Sequence, residues 1–254
     1  MYGGPYPYTH GAVWILFGDH NGLRIRGAQL ASAHRLGLDR IPETLELTPG
    51  RFDRGRRSDL AIGTPWGRGA LRVLYGSADS ITGRGAGYFS EATPGLLANH
   101  PEDSVEFAFG EVVVSGDFNG DGYGDIATSD PGEQANRGAV HILYGSSGGI
   151  NLDGNQHLNQ STPALVGDGP NAEDYLGRSL GGGDFNADGY FDLAVGEVQH
   201  ADPCERGGAV HVLYGSATGV DESVGQFLTQ DTPGIAGDGS QPCDEFGSAL
   251  SIGR

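Results

Sequence analysis

The chain has 254 residues and a formal net charge of −18, with 46 glycines and 13 prolines. This length is typical of one or two domains, and the negative charge argues against a nucleic-acid partner, whose phosphates would be repelled. The glycines and prolines punctuate apolar runs without a collagen period, which favours many short strands joined by tight turns. No apolar stretch of the sequence is long enough to span a membrane.

Three sequence markers repeat along the chain in one order and at one period. Segments of β character close at Phe17-Gly18, Tyr75-Gly76, Tyr144-Gly145 and Tyr214-Gly215, and the tyrosines are 69 and 70 residues apart. The other markers are Thr-Pro pairs at 93–94, 162–163 and 232–233, and Phe-Gly or Leu-Gly pairs at 109–110, 176–177 and 246–247. This strict long period, with four strands predicted per unit, indicates β-propeller blades rather than a flat sandwich.

The repeat divides the chain into units that begin and end inside blades. Residues 1–33 have the pattern of the back half of a blade, and 34–106 form a blade with a degenerate loop. Residues 107–173 and 174–243 form two further blades, and 244–254 supply the first strand of another. The expected fold is all-β, a partial propeller of three full blades and two partial ones. Because blades need neighbours to bury their faces, we interpret the chain as a fragment of a longer protein.

The first full unit carries a degenerate acidic loop at residues 51–59. Only Asp53 and Asp59 keep oxygen ligands there, because arginine or glycine occupies the other ligand positions. We therefore expect no calcium in this loop. An arginine paired with the two carboxylates is expected to hold the turn instead, and an unstructured basic turn is the alternative.

Two complete acidic loops follow, at 117–125 and 184–192, and each runs into an apolar strand. Both place acidic or amide oxygens at loop positions 1, 3, 5 and 9, with glycine at position 6. Calcium prefers six to eight oxygens, and glycine permits the sharp turn. A single copy is also typical of a polar turn, but two filled copies predict two calcium sites. The ligands, which include the backbone carbonyls of the tyrosines, are Asp117, Asn119, Asp121, Tyr123, Asp125, Asp184, Asn186, Asp188, Tyr190 and Asp192.

These motifs resemble FG-GAP repeats, which form the β-propellers of integrin α subunits and of many secreted bacterial proteins. The resemblance rests on the aromatic-Gly pair, the Asp-x-Asn-x-Asp-Gly-x-x-Asp loop and the Gly-Ala-Val strand, and it covers about residues 9–253. It implies the same calcium ligands, a non-enzymatic role in adhesion, and an extracellular or cell-surface location. The Gly-Ser-x-x-Gly turns and Thr-Pro-Gly loops resemble the bacterial members more than the animal integrins.

The resemblance also implies a binding face opposite the calcium loops, for a protein or glycan partner. That face comprises the loops 97–105, 129–137, 167–175, 197–207 and 237–245. Cys204 and Cys243 both fall in this set, within one repeat, and are candidates for a disulfide, which fits an oxidising compartment. Two free thiols are the alternative, since a metal site on these thiolates lacks further ligands.

Other candidate chemistry is explained by position in the repeat. His141 and His211 occupy equivalent strand positions, and the acidic pairs 173–174 and 244–245 precede the aromatic-Gly marker. We therefore assign neither set to metal or glycosidase chemistry. Trp14 and Trp66 are interpreted as blade packing rather than as a sugar platform.

The sequence thus predicts a calcium-binding extracellular scaffold without catalytic residues. The alternative is an accessory propeller domain of a secreted hydrolase or lyase. A cluster of carboxylates or histidines converging on the loop face would support that alternative.

Overall fold

β-Strands and turns make up nearly all of the structure, a computed structural model that describes residues 13–19, 22–31, 45–67, 69–77, 80–98, 108–165, 167, 173–198, 207–237, 239 and 244–251. The strands are β1 (Val13–Asp19), β2 (Gly22–Ala31), β3 (Glu46–Gly50), β4 (Asp59–Thr64), β5 (Ala70–Gly76), β6 (Ile81–Phe89), β7 (Val113–Gly116), β8 (Asp125–Asp130), β9 (Ala139–Leu143), β10 (Gln156–Asn159), β11 (Ser179–Gly183), β12 (Asp192–Glu197), β13 (Ala209–Ser216) and β14 (Gly219–Leu228). One short helical turn, α1 (Glu133–Asn136), precedes β9. Among these residues, no helix has the length and apolar character needed to cross a bilayer.

Consecutive strands pair in antiparallel order to form three four-stranded sheets. Blade A contains β3–β6, blade B contains β7–β10 and blade C contains β11–β14, while β1 and β2 form a separate pair. Strands that follow one another in sequence are hydrogen-bonded neighbours in every sheet. This arrangement confirms the predicted all-β fold, a partial β-propeller. The sheets lie within the predicted units 34–106, 107–173 and 174–243, whose limits stay predictions.

The two terminal units are described in part. β1 pairs with β2 inside the predicted unit 1–33. In the last unit, a bridge joins Phe246 to Gly208 and a turn follows it. The strand predicted for residues 246–253 stays a prediction.

The Phe-Gly marker is a turn that docks one blade on the blade before it. Phe109 is fully buried, and Gly110 has a φ of +89° beside the carbonyl oxygen of Ala70 at the edge of blade A. A Cβ at Gly110 would lie 2.6 Å from that oxygen, which is too close for a carbon atom. Gly177 repeats the left-handed turn with a φ of +88°. Strand β7 therefore starts only at Val113, because the Phe-Gly marker itself forms this turn.

The apolar core lies between neighbouring blades. Blades A and B share a cluster that includes Phe52, Leu71, Val73, Phe89, Phe109, Val113, Ile126 and Leu143. Blades B and C share a second cluster that includes Phe118, Val140, Ile142, Leu158, Leu180, Leu193, Val195 and Leu213. Each blade therefore depends on its neighbour for the burial that stabilises it.

The Tyr-Gly marker links consecutive blades by hydrogen bonds. The Tyr75 hydroxyl of blade A accepts a hydrogen bond from the Ile150 N–H of blade B at 2.8 Å. The Tyr144 hydroxyl of blade B accepts one from the Val220 N–H of blade C at 3.1 Å. Burial raises the pKa of both phenols, so both stay protonated at neutral pH. The repeat of this marker thus has a structural reason.

We expect Tyr75→Phe to lower the free energy of unfolding by about 1–3 kcal/mol, because the Ile150 N–H loses its acceptor in a largely buried position. Tyr214→Phe is the matched control, since Tyr214 ends the same strand in blade C and forms no such bond within the described residues. Urea unfolding of both variants measures the difference. An equal loss in the two variants would contradict a blade-to-blade role for the hydroxyl.

Candidate metal centres

The two complete acidic loops occupy equivalent places in blades B and C. Loop 117–125 joins β7 to β8, and loop 184–192 joins β11 to β12. Both connect the first strand of a sheet to the second, as the sequence predicted. The loops therefore stand at the same end of their sheets.

The side chains of loop 117–125 hold its backbone in a tight coil. Asp117 accepts hydrogen bonds from the N–H groups of Asp121 at 3.1 Å and Gly122 at 2.9 Å. Asn119 also accepts the Asp121 N–H at 3.0 Å, and the Asp121 carboxylate accepts the Tyr123 N–H at 2.9 Å. Each acidic side chain at positions 1 and 5 thus turns inward over its own loop.

Loop 184–192 repeats this geometry. Asp184 accepts the N–H groups of Asp188 at 3.1 Å and Gly189 at 3.0 Å. Asn186 accepts the Asp188 N–H at 2.9 Å, and Asp188 accepts the Tyr190 N–H at 2.9 Å. Every corresponding distance agrees within 0.1 Å between the loops. Two separate segments therefore form the same coil, with oxygen side chains at the same positions.

Glycine at position 6 is required by the backbone of both loops. Gly122 has a φ of +88° and Gly189 a φ of +94°, in the left-handed region that side chains disfavour. The space around both residues is open, since a Cβ would meet no atom within 4 Å. The backbone conformation, and not crowding, therefore explains the glycine at this position.

The aspartate at position 9 has a different role from the other acidic residues. Asp125 is fully buried and accepts the N–H groups of Phe118 at 2.8 Å and Gly145 at 2.9 Å. Asp192 is equally buried and accepts those of Phe185 at 2.7 Å and Gly215 at 3.0 Å. This carboxylate ties the loop to the Tyr-Gly end of the third strand, a role that sequence reasoning missed.

Burial is the main cause that raises the pKa of this position-9 carboxyl. For Asp125 the pKa rises to about 7, with a smaller contribution from the negative charges of Asp117 and Asp121. The pKa of Asp192 is also raised by burial, with Asp188 adding to the effect. The carboxylates of each loop are thus near enough to repel one another, which a bound cation would relieve.

The degenerate loop of blade A keeps the hydrogen bonds of the position-9 aspartate and of the position-3 side chain, and it lacks acidic side chains at positions 1 and 5. Asp59 accepts the N–H groups of Phe52 at 2.8 Å and Gly76 at 2.8 Å, as its counterparts do. The prediction that an arginine pairs with the two carboxylates is wrong. Among the described contacts, Asp53 and Asp59 accept hydrogen bonds from backbone N–H groups, and no arginine of the loop reaches them.

The donor set of the two complete loops suits a hard cation. All of the side-chain donors are carboxylate or amide oxygens, and each carboxylate has lone pairs beyond those used by the backbone. Asp121 and Asp188 are exposed, so an ion has free access. The loop aspartates are held mainly by backbone N–H groups, however, and the acidic groups that converge most closely are found elsewhere.

A second group of ionisable side chains converges between blades A and B, away from the two complete acidic loops. Glu133, His141 and His157 place one ligand atom each within 4.8 Å of one another. The carboxylates of Glu91, Asp130 and Glu133 also lie within 4.8 Å of one another. We call these five residues the Glu-His cluster.

Sequence reasoning explained His141 by repeat position and missed the Glu-His cluster. The histidine does occupy the expected strand position, opposite His157 on β10. Its counterpart His211 bonds Glu197 through Nε2 at 2.7 Å. The signal that was available is Glu91, which precedes a Thr-Pro marker where the other units have Gln160 and Gln230.

Both tryptophans are exposed, so their interpretation as blade packing is wrong. Trp14 is 65% exposed and Trp66 is 56% exposed. Trp66 lines a cleft of about 420 Å³ together with Glu46, Pro65 and Glu111.

Of the other residues singled out in the sequence, the structure describes Asp174 but not the two cysteines. Asp174, from an acidic pair that precedes the marker, is fully buried and accepts a hydrogen bond from the Gln160 amide at 2.7 Å. This contact agrees with a structural role. Cys204 and Cys243 lie outside the described residues, so the disulfide stays a prediction.

Comparison with known proteins shows which family these repeats resemble. The FG-GAP repeat family matches residues 109–143 and 176–213, which include both complete loops. Integrin alpha-X of Mus musculus is 42% identical over 175 residues, covering 68% of this chain and 13% of that protein. Integrin alpha-M of Mus musculus is 43% identical over 90 residues, or 35% of this chain and 7% of that protein.

A third relative is an enzyme. Phosphatidylinositol-glycan-specific phospholipase D of Mus musculus is 37% identical over 125 residues, covering 46% of this chain and 14% of that protein. The chain therefore spans only a small part of the length of these curated relatives. It is an FG-GAP repeat protein similar to integrin α subunits.

We expect Asp59→Asn to lower the free energy of unfolding by about 1–3 kcal/mol, because an amide has one acceptor oxygen for two buried N–H groups. Calcium stoichiometry should not change, since the degenerate loop holds no complete ligand set. Asp53→Asn is the control, because this partly exposed residue accepts one backbone bond that asparagine keeps. Urea unfolding measures the change in stability, and calcium titration counts the sites. Equal destabilisation by the two variants would contradict the role of Asp59 in holding the loop to the third strand.

Proposed function

We propose that the chain is a calcium-stabilised segment of an extracellular or cell-surface β-propeller, which acts as a scaffold for adhesion or for protein or glycan binding. The observation that carries this proposal is the duplicated loop, in which two segments of the chain form the same hydrogen-bonded coil with oxygen side chains at the same positions. Similarity to integrin α subunits supports a role in binding other proteins. In the two complete acidic loops, which the structure describes in full, the hydrogen bonds pair no nucleophile with a base, as covalent catalysis requires.

The ligands we propose are the side-chain oxygens of positions 1, 3, 5 and 9 and the carbonyl of position 7 in each loop. Calcium bound there would neutralise the carboxylates and link both ends of the loop. Asp117 and Asp184 already hold the coil through two backbone bonds each. Asp125 and Asp192 hold it to the third strand. The chain thus supplies a preorganised loop.

The expected contribution of calcium is modest. Extracellular calcium modules have dissociation constants of roughly 10⁻⁴–10⁻³ M. At about ten times the dissociation constant, one site adds on the order of 1.4 kcal/mol to stability. Because Asp59 holds the degenerate loop by its backbone bonds alone, calcium should tune the propeller rather than create it.

The cleft beside Trp66 is our candidate for the partner site. It is formed by the start of β3, the loop after β4 and the turn before β7, at the end of the sheets opposite the calcium loops. Burial and the nearby Glu111 charge raise the pKa of Glu46 in its wall. Glu111 is already paired with the Arg178 guanidinium, which leaves Glu46 as the acid beside the Trp66 ring. This surface favours a partner segment that has apolar side chains and a basic one.

Calcium titration of the chelator-treated chain is expected to give two sites and a raised melting temperature. Asp121→Ala should keep only the site of loop 184–192, and Asp188→Ala should keep only the site of loop 117–125. Each variant removes the position-5 carboxylate of its own loop. Asp53→Ala is the control, since it alters the degenerate loop. Isothermal calorimetry counts the sites. Two remaining sites in the Asp121 variant would refute the assignment.

For the partner site, we expect the labelled chain to bind a protein extract of extracellular matrix or a glycan array. Trp66→Ala should weaken binding at least about tenfold, the effect of losing a central aromatic anchor. Trp14→Ala should leave binding unchanged, because this equally exposed tryptophan lies on β1, outside the cleft. Binding that tolerates the Trp66 change would exclude the cleft, and no binding to either probe would count against the scaffold role.

The second candidate function is an accessory propeller of a secreted hydrolase. The similarity to a phospholipase D and the Glu-His cluster favour it. The burial of that cluster argues against catalysis in this chain, since Glu133 and His141 are almost fully enclosed. A chromogenic phosphodiester tests it: turnover that is lost in Glu133→Gln would favour the enzyme, and no turnover would favour the scaffold.

A further inference from the structure

We propose that the Glu-His cluster binds one divalent transition-metal ion of the zinc type, with Glu133, His141 and His157 as its ligands. The ion would stand between blades A and B and would be independent of the calcium loops. This inference goes beyond the proposed scaffold function. It rests on geometry, on the fixed orientation of a histidine, on buried charge and on a comparison of the three blades.

The spacing of the three ligand atoms suits a zinc ion. Glu133 Oε2 lies 2.8 Å from His157 Nε2 and 3.8 Å from His141 Nε2. Ligands about 2.1 Å from a tetrahedral zinc ion lie roughly 3.4 Å apart. The two distances stand on either side of that value, so side-chain movements of well under an ångström would complete the site.

The orientation of His141 is fixed by a carbonyl group. Its Nδ1 lies 3.1 Å from the Leu97 carbonyl oxygen, which can only accept, so Nδ1 carries the proton. In the neutral ring, Nε2 then carries the lone pair, and it faces Glu133. Asn155 fixes the Leu97 backbone in turn, by accepting its N–H at 2.8 Å. A ligating histidine typically donates its other N–H to such a partner.

Buried negative charge surrounds these ligands. Asp130 is fully buried, and its Oδ1 accepts the N–H groups of Ala108 at 2.9 Å and Gly132 at 3.2 Å. Its Oδ2 is buried and has no hydrogen-bond partner within the described structure. Together with Glu91 and Glu133 it forms a group of three enclosed carboxylates, which concentrates acidic groups beside the proposed ligands.

Glu91 is the residue that makes this interface acidic. The equivalent residue between blades B and C is Gln160, whose amide donates a hydrogen bond to the buried Asp174 at 2.7 Å. A glutamine therefore satisfies a carboxylate at one interface. At the other interface a third acid replaces this neutral donor, which favours a site for positive charge.

The histidine pair distinguishes blade B from the other blades. The cross-strand pairs at this position are Arg72 with Tyr88 in blade A, His141 with His157 in blade B, and His211 with Phe227 in blade C. Blade C keeps one histidine, paired with the Glu197 carboxylate, and has phenylalanine where the second ligand would be. Blade C therefore provides a natural reference for a cluster that lacks one ligand.

The proposed site is well separated from the calcium loops. Asp125 of the calcium loop and Asp130 of the cluster are the first and last residues of β8. Five steps along a strand span roughly 16 Å. The donor types differ as well, because imidazole nitrogen suits zinc and similar ions, whereas the loops offer only oxygen.

Access to the site runs past His157, whose side chain is 9% exposed. Without metal, the short contact between its Nε2 and Glu133 Oε2 is a hydrogen bond that carries a proton. A metal ion must displace that proton to reach the nitrogen lone pair. The neutral ring allows this by changing tautomer, with the proton moving from Nε2 to Nδ1.

The test is a zinc titration of the whole 254-residue chain, first treated with chelator and then saturated with calcium. We expect one zinc ion per chain and visible absorption when cobalt replaces zinc. His157→Phe, which copies the Phe227 of blade C, should weaken binding at least about tenfold. Glu133→Gln should do the same.

His211→Phe is the matched control, because it removes an equally buried histidine from a site without the second imidazole. It should bind zinc as the unchanged chain does. Calcium stoichiometry and melting temperature show that each variant is folded, and they separate failure of this site from failure of the calcium loops. Wild-type zinc affinity in His157→Phe, an equal loss in His211→Phe, or no zinc binding at all would overturn the proposal.

Discussion

Each sheet of this protein buries its apolar side chains against the next sheet, and the other repeated features support that packing. Phe109 enters the core between blades A and B, and the left-handed Gly110 lets its turn approach blade A closely. The Tyr75 hydroxyl bonds the following blade from the other end of the sheet. The markers of the repeat are therefore the contacts by which one blade holds the next.

The buried aspartate at position 9 holds the loop in place whether or not the other proposed ligand positions are filled. Asp59, Asp125 and Asp192 make the same two backbone bonds, although only the last two stand in complete ligand sets. A loop can therefore lose its cation ligands and keep its shape. This is the physical reason why blade A has a degenerate loop without a break in its sheet.

The opposite end of the sheets shows how a constant backbone carries variable chemistry. One cross-strand position holds an arginine over a tyrosine ring in blade A, at 4.8 Å from the ring centre. It holds two histidines in blade B and a histidine beside a phenylalanine in blade C. The strand pairing is the same in the three blades because backbone hydrogen bonds determine it. The side chains at this cross-strand position can therefore differ from blade to blade. The Glu-His cluster arises where such a pair meets acids from the neighbouring blade.

The sequence by itself determined the all-β repeat, the order of the strands and the place of both acidic loops. These features depend on which residues form turns and on a repeat period that is visible in the sequence itself. Only the tertiary structure decided that Asp125 is a structural tie, that both tryptophans face outward and that Glu91 meets Asp130 and Glu133. Those facts depend on which residues of different units lie together across a blade interface. The period places equivalent residues in each unit, but contacts between units depend on packing in three dimensions.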